Sequence, residues 1–363
     1  MSYRLEPAYR HGQRARTAVL LVNLGTPDEP TAQALRRYLA EFLSDPRVVE
    51  IPRIVWWPIL NGIILRTRPA RSAAKYATVW TPDGSPLAFW TVRQAQALDT
   101  RLAAGGHDVL VRHAMRYGNP SVPAVLDALR ADGATRVLVL PLYPQYAAAT
   151  TASVSDKVME WATQARRVPE LRFVSEYHDE PSYIAALADR LQAHWQAEGR
   201  ADKLVLSFHG IPERALLLGD PYHCQCYKTA RLLCNHMALA PETVLVTFQS
   251  RFGKAKWLEP YTEATLRDLA QQGVKSVDVM CPGFVADCLE TLEEIAQEAR
   301  DTFLEAGGTR FSYVPCLNDD PAWIASLAVL VQRHLQGWPT RPQLTAQDLA
   351  LQRQRALDMG AVA

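Results

Sequence analysis

The 363-residue sequence predicts an α/β protein of two similar doubly wound parallel-sheet lobes with a ligand cleft between them. Two observations carry this expectation. Short β-branched runs end abruptly in Gly or Pro and lead into helical stretches, as strands of a parallel sheet do. The runs of the first half also recur in order in the second.

Taken along the chain, the candidate strands are "AVLLVNLGTP" (18–27), "VLVRHAMRYG" (109–118), "RVLVLPLYPQY" (136–146), "KLVLSFHGIP" (203–212), "TVLVTFQSRFG" (243–253) and "SVDVMCPGF" (276–284). "LVNLGTP" at 21–27 matches "LSFHGIP" at 206–212, and "MRYG" at 115–118 matches "SRFG" at 250–253. The second match sits 50 residues closer to the first in the later half, which places an insertion at about 40–90 of the earlier half. The expected organisation is a first lobe over 17–175, a second over 176–336 and a polar extension over 337–363 that ends in a short helix. A chain this long exceeds the size at which one core stops growing, which also favours two lobes.

Composition narrows the function classes. With 48% hydrophobic and 21% charged residues and a net charge of +1, the chain has no field for gathering nucleic acid. The first sixteen residues show no secretory pattern, and the longest apolar window, "IVWWPILNGIIL" (54–65), is too short to span a bilayer. Six cysteines in such a chain read as reduced thiols, so the expected location is cytoplasmic. No G-x-G-x-x-G after a strand, P-loop, H-E-x-x-H or G-x-S-x-G is present.

Ligands of open parallel sheets bind beyond the carboxyl ends of strands, and the unusual residues lie there. His209 stands at the end of an apolar run, and Gly210 and Pro212 turn the chain so that the imidazole is presented. In "CPGFVADCLETLEEIAQEAR" (281–300), Asp287, Glu290, Glu294 and Glu298 are spaced three, four and four apart, with no Lys or Arg before Arg300. On an α-helix these carboxylates share one face and repel by about 0.2–0.5 kcal/mol per pair. Either the face is simply solvated, or a cation or protons pass along it. His209 and Glu290 together suit a divalent first-row metal.

The insertion combines Trp56, Trp57, Ile59, Leu60, Ile63, Ile64 and Leu65 with Arg66, Arg68 and Arg71. It reads either as a buried amphipathic helix or as a lip for a flat apolar ligand, with arginines for carboxylates and a face for a membrane surface.

Several long motifs, in order, resemble those of the ferrochelatases: "VLLVNLGTPDEP", "TVWTPDGSPL", "MRYGNP", "LPLYPQYAAATT", "LSFHGIPER", "TFQSRFGKAKWLEPYT", "MCPGFVADCLETLEE" and "VPCLNDDPAWI". The resemblance covers nearly the whole chain and is nearest to Gram-negative enzymes. It implies two chelatase-type lobes and the insertion of Fe²⁺ into protoporphyrin IX, the last step of haem synthesis, with no required cofactor and Fe²⁺ as substrate. It assigns His209 and Glu290 to iron binding and proton handling, and Asp287 and Glu294 to an acidic path. Tyr117 and Trp257 match cleft positions; Arg66, Arg68 and Arg116 are the expected substrate contacts. Peripheral contact with the inner membrane surface, through the apolar lip, is a further expectation.

Some relatives carry a histidine where this chain has Cys288. The iron-sulfur cluster of animal relatives uses cysteines in a C-terminal extension, and here none follows Cys316. In "HCQCYKTARLLCNH", Cys224, Cys226 and Cys234 read as free thiols, with a zinc or iron-sulfur site as the alternative. Rival readings are a chelatase for another metal and tetrapyrrole, a non-catalytic carrier, or a hydrolase, for which no credible nucleophile is found.

Overall fold

In the computed structural model, which describes residues 3–253 and 255–362, eight strands form two separate parallel sheets. The first contains β1 (Arg16–Thr26), β2 (Leu110–Gly118), β3 (Ala134–Pro141) and β4 (Glu170–Phe173) in the order β2-β1-β3-β4. The second contains β5 (Lys203–His209), β6 (Val244–Gln249), β7 (Ser276–Met280) and β8 (Arg310–Val314) in the order β6-β5-β7-β8. The orders are identical once renumbered, so the duplication read from the sequence exists in the topology. The central strands β1 and β5 are buried on both faces, which is why they are near-continuous apolar runs.

One of the two sequence matches is two residues out of frame. Met115 N–H donates to Pro120 O (2.7 Å) and Phe248 N–H donates to Pro260 O (2.8 Å), which makes Met115 and Phe248 the equivalent pair. The ladders agree: Asn23 lies opposite Met115, and Phe208 opposite Phe248. Arg116 therefore corresponds to Gln249, and Tyr117 to Ser250, rather than to Arg251 and Phe252. A slip of two keeps each side chain on its own face, so alternation alone could not expose it.

Between β1 and β2 the first half carries α1 (Ala32–Leu43), α2 (Arg53–Ile59), a π-helical turn (Leu60–Ile64), α3 (Leu65–Val79) and α4 (Pro86–Ala104). The rest of that half holds α5 (Val122–Ala131), a second π turn (Ala148–Ala152) and α6 (Ser153–Gln164), and α7 (Pro181–Glu198) links β4 to β5. In the second half, β5 is followed by α8 (Glu213–Leu217) and α9 (Tyr222–His236), and β6 by α10 (Thr262–Gln271). A ten-residue π-helix (Glu290–Ala299) continues into α11 (Arg300–Glu305), then α12 (Pro321–His334) and α13 (Ala346–Asp358).

The halves are closely knit. One buried cluster runs through Val19, Leu98 and Leu138 of the first half and Leu206, Phe208 and Leu327 of the second. α12, which ends the second half, packs on α4 as well as on α7. Within the seam, the buried Gln94 of α4 donates to Val285 O (2.8 Å) and Asn318 O (2.7 Å), which fixes the loop before the long π-helix against the first half.

Each strand-end turn needs its glycine. Gly25 has φ of +115°, and a Cβ there would lie 1.8 Å from Tyr117 O. A Cβ on Gly210 would lie 2.8 Å from Gln249 O. Both glycines let one strand end approach its neighbour's backbone, which brings His209 up against β6.

Candidate active site

His209 ends β5 directly opposite Gln249 of β6. Its loop is strapped down by a short pairing with 256–258: Glu213 N–H donates to Lys256 O and Leu258 N–H to Ile211 O, both 3.0 Å. The imidazole Nδ1 lies 2.6 Å from Gly210 O. A carbonyl can only accept, so Nδ1 carries a proton and donates to it, and in the neutral ring Nε2 is the nitrogen with the free lone pair. Trp257 and Phe284 flank the ring at centroid distances of 6.5 and 6.4 Å.

Glu290 opens the long π-helix. The loop before it is held by Asp287, whose Oδ1 accepts from the Tyr313 hydroxyl (2.5 Å) and whose Oδ2 accepts from Asn318 Nδ2 (2.7 Å). Asp287 is 6% exposed, with both oxygens committed to neutral donors. It therefore anchors the loop that presents Glu290 and does not continue the acidic face, contrary to the spacing argument.

Glu294 does join the site. Its carboxylate accepts from Ser250 N and from Ser250 Oγ (2.6 Å), while Gln249 Nε2 donates to Glu290 O (2.9 Å). Burial pushes the Glu294 pKa above the usual carboxylate range, opposed by the Ser250 hydroxyl and by the charge of His209, and reinforced by Glu290. His209 and Glu290 thus both act electrostatically on Glu294. A cavity of about 790 Å³ opens beside Glu294 and runs along Glu298, Asp301 and Glu305 to the surface.

The ladder is not without a cation. Lys75 of α3 reaches across from the insertion, and its Nζ donates to Glu293 Oε2 (3.0 Å) and Glu298 Oε1 (2.8 Å). Sequence reasoning missed this lysine because more than two hundred residues separate it from its partners. It also missed Ser250 and Gln249, although polar residues at a strand end were a usable signal.

Two expected cleft contacts of the first half are closed. Tyr117 is fully buried, and its hydroxyl donates to Asp45 Oδ2 (2.8 Å). Arg116 pairs with the same carboxylate oxygen and donates to Ser153 Oγ (2.7 Å), leaving its side chain 10% exposed. Neither is free to meet a ligand in this structure. Trp257 is also buried, its ring edge against Phe252 (4.8 Å), so it supports His209 more than it lines an opening. Arg66 is exposed on the lip, and Arg68 lies over the Phe252 ring at 5.3 Å.

The insertion is a lip in the literal sense. α2 buries no residue; Ile54 is 86% and Trp57 63% exposed, joined by Ile51, Val55 and Ile63. Across from it, exposed Leu217 and Leu218 close α8, and Arg214 pairs with Glu50 of the insertion. Among the described residues no helix is long and apolar enough to cross a membrane.

The cysteines of α9 do not converge. Residues two apart on an α-helix point about 200° away from each other; accordingly Cys224 is exposed and Cys226 buried. Cys234 lies two turns further on and is half-buried. Among the described residues no group of three or more His, Cys, Asp or Glu side chains stands ready to hold a metal ion.

Two duplicated parallel sheets, with a histidine at one strand end facing a run of carboxylates, define a chelatase-type protein. A solved structure of the sirohydrochlorin chelatase SirB from Bacillus subtilis subspecies spizizenii, in complex with cobalt, shares the fold at a TM-score of 0.52 and 12% identity, over 88% of this chain and 95% of that one. The ferrochelatase family profile matches residues 16–335. Curated ferrochelatases of Methylibium petroleiphilum and Dechloromonas aromatica are 67% and 57% identical, covering 100% and 98% of both chains. The chain belongs to the ferrochelatase family, the metal chelatases that insert ferrous iron into protoporphyrin in haem synthesis.

Proposed function

We propose that His209 and Glu290 carry the iron-insertion step. The Nε2 lone pair of His209 and the carboxylate of Glu290 hold the incoming Fe²⁺ and, as the ion passes to the porphyrin nitrogens, take up the two pyrrole protons in its place. Glu294 and the cavity beside it connect this pair to solvent. Metallation of a porphyrin needs water stripped from the ion, two N–H protons removed and the macrocycle bent. A neutral imidazole serves as base, carboxylates replace the waters, and Trp257 and Phe284 keep the imidazole in a largely apolar surround. The observation that carries the reading is the place of Gln249, which lies opposite His209 and donates to Glu290 O, next to Ser250, whose uncharged donors hold Glu294.

On the substrate side, Arg66 and Arg68 of the lip meet the porphyrin carboxylates, while Arg116 and Tyr117 stay in their buried cluster and shape the first half. The exposed Ile54 and Trp57, opposite Leu217 and Leu218, give the mouth of the cleft an apolar rim for peripheral contact with a membrane surface.

The test is anaerobic insertion of Fe²⁺ into protoporphyrin, followed by loss of porphyrin fluorescence. His209→Ala and Glu290→Gln should each slow turnover by roughly 10²–10⁴-fold with the far-ultraviolet circular dichroism unchanged. Normal turnover in either variant removes that residue from the mechanism.

A further inference from the structure

The contact of Lys75 with the long π-helix has a geometry that a simple surface ion pair does not need. Its two partners, Glu293 and Glu298, are five residues apart. On an α-helix, residues five apart point about 140° away from each other, so one ammonium could not easily hold both. In a π-helix the i→i+5 hydrogen bond brings them to the same side. Lys75 therefore fits the wide winding, and the wide winding is what gives the segment Glu290–Ala299 its present faces.

The segment is gripped from both sides. Glu293, with a side chain 10% exposed, is the inner arm of the lysine contact; Glu298, 56% exposed, is the outer. On the other side, Ser250 holds Glu294, and Gln249 holds the backbone of Glu290. The first grip comes from the lip of the first half and the second from β6 and the turn after it. α3 and the π-helix also pack against each other.

We propose that Lys75 is a positioning residue: by bridging Glu293 and Glu298 it keeps the π winding and so fixes where Glu290 and Glu294 point. It also makes the lip mechanically continuous with the carboxylates that handle metal and protons. This rests on the iron-insertion reading of the site, but the winding itself is tested separately.

The test compares Lys75→Met and Lys75→Arg with wild type in the full chain, by separate KM values for Fe²⁺ and protoporphyrin and by hydrogen exchange of amides 290–299. Misplaced carboxylates should raise the Fe²⁺ KM of the Met variant about tenfold. The porphyrin KM should be unchanged, exchange over 290–299 faster, and both effects reversed by Arg. If Lys75 acted only as a repelling charge, its removal would lower the Fe²⁺ KM and leave exchange alone; that result, or no change in either, overturns the proposal. Should the Met variant fail to fold, Glu293→Gln removes the inner arm from the other side and must give the same signature. Wild type that inserts no iron would sink the chelatase reading, while the exchange data would still decide the clamp.

Discussion

Removal of Asp45 is the sharpest test of whether Arg116 is structural or a substrate contact. The Asp45 Oδ2 accepts from Ser153 Oγ (2.6 Å), Tyr117 OH (2.8 Å) and Arg116, with side chains only 5% and 10% exposed for Asp45 and Arg116. Asp45→Ala strands a buried guanidinium, which costs about 3–5 kcal/mol, and two neutral donors at about 1–3 kcal/mol each where no water reaches them. Water will enter part of the void, so about 4 kcal/mol is expected in urea denaturation. Arg116→Met alone should lose a similar amount by stranding the carboxylate. The double variant should fall short of the sum by roughly 2 kcal/mol, because the two losses share one interaction. The Ser153, Tyr117 and Arg47 hydrogen bonds and the Arg116 charge hold the Asp45 pKa below the usual carboxylate range despite its burial. A depressed folded pKa stabilises the protein above the unfolded value, and that stabilisation is lost as pH falls through the folded one. The gap between wild type and Asp45→Asn should therefore narrow as pH drops below about 4. Arg116→Met with wild-type stability and a porphyrin KM raised tenfold would refute the argument and return Arg116 to the substrate.

Glu294 predicts the opposite pH behaviour. Its folded pKa is raised, so its ionised form is disfavoured in the fold, and Glu294→Gln should match or exceed wild-type thermal stability at pH 7, with the difference vanishing near pH 4, where the acid is protonated in both states. Iron insertion by that variant should nevertheless be slower; a variant both less stable and fully active would contradict the assignment. Trp57→Glu, on an indole 63% exposed, should weaken sedimentation with anionic vesicles while leaving insertion into detergent-dispersed porphyrin within about twofold. Equal sedimentation of both proteins would exclude the lip as a membrane contact.

The strands buried on both faces were legible because burial writes itself as apolar runs, and Gly25 and Gly210 marked where they end. β4 and β8 were not, because four or five residues at a sheet edge, mostly half-buried, carry little such pattern. That His209 would end a strand and Glu290 open a helix could be read from the turn residues before and after them. Whether Tyr117 opens to the cleft or turns inward depended on Asp45, 72 residues away, which no local pattern reveals. The spacing of the acidic residues was read on an α-helix, whereas the chain winds as a π-helix and Asp287 lies before it, turned into a hydrogen-bonded cage.

The corrected frame of the duplication also shows how the two halves differ at their strand ends. At equivalent strand ends, Leu24 stands where the second half has His209, and Arg116 and Tyr117 stand where it has Gln249 and Ser250. Each pair grips a carboxylate: Asp45 from the insertion in one half, Glu294 from the π-helix in the other. In the first half the gripping group is a permanent cation, so the carboxylate is neutralised and closed to other charges. In the second the grip is an amide and a hydroxyl, which satisfy the hydrogen bonds of Glu294 without cancelling its charge. A carboxylate held in place yet left electrically unpaired is a site where an Fe²⁺ ion or a pair of protons can come and go. Lys75 pairs with Glu293 and Glu298 and leaves Glu294 to its neutral donors. The same strand-end geometry therefore makes a structural knot when its donor is arginine and, when its donors are neutral, leaves a carboxylate free for the iron-insertion role proposed above.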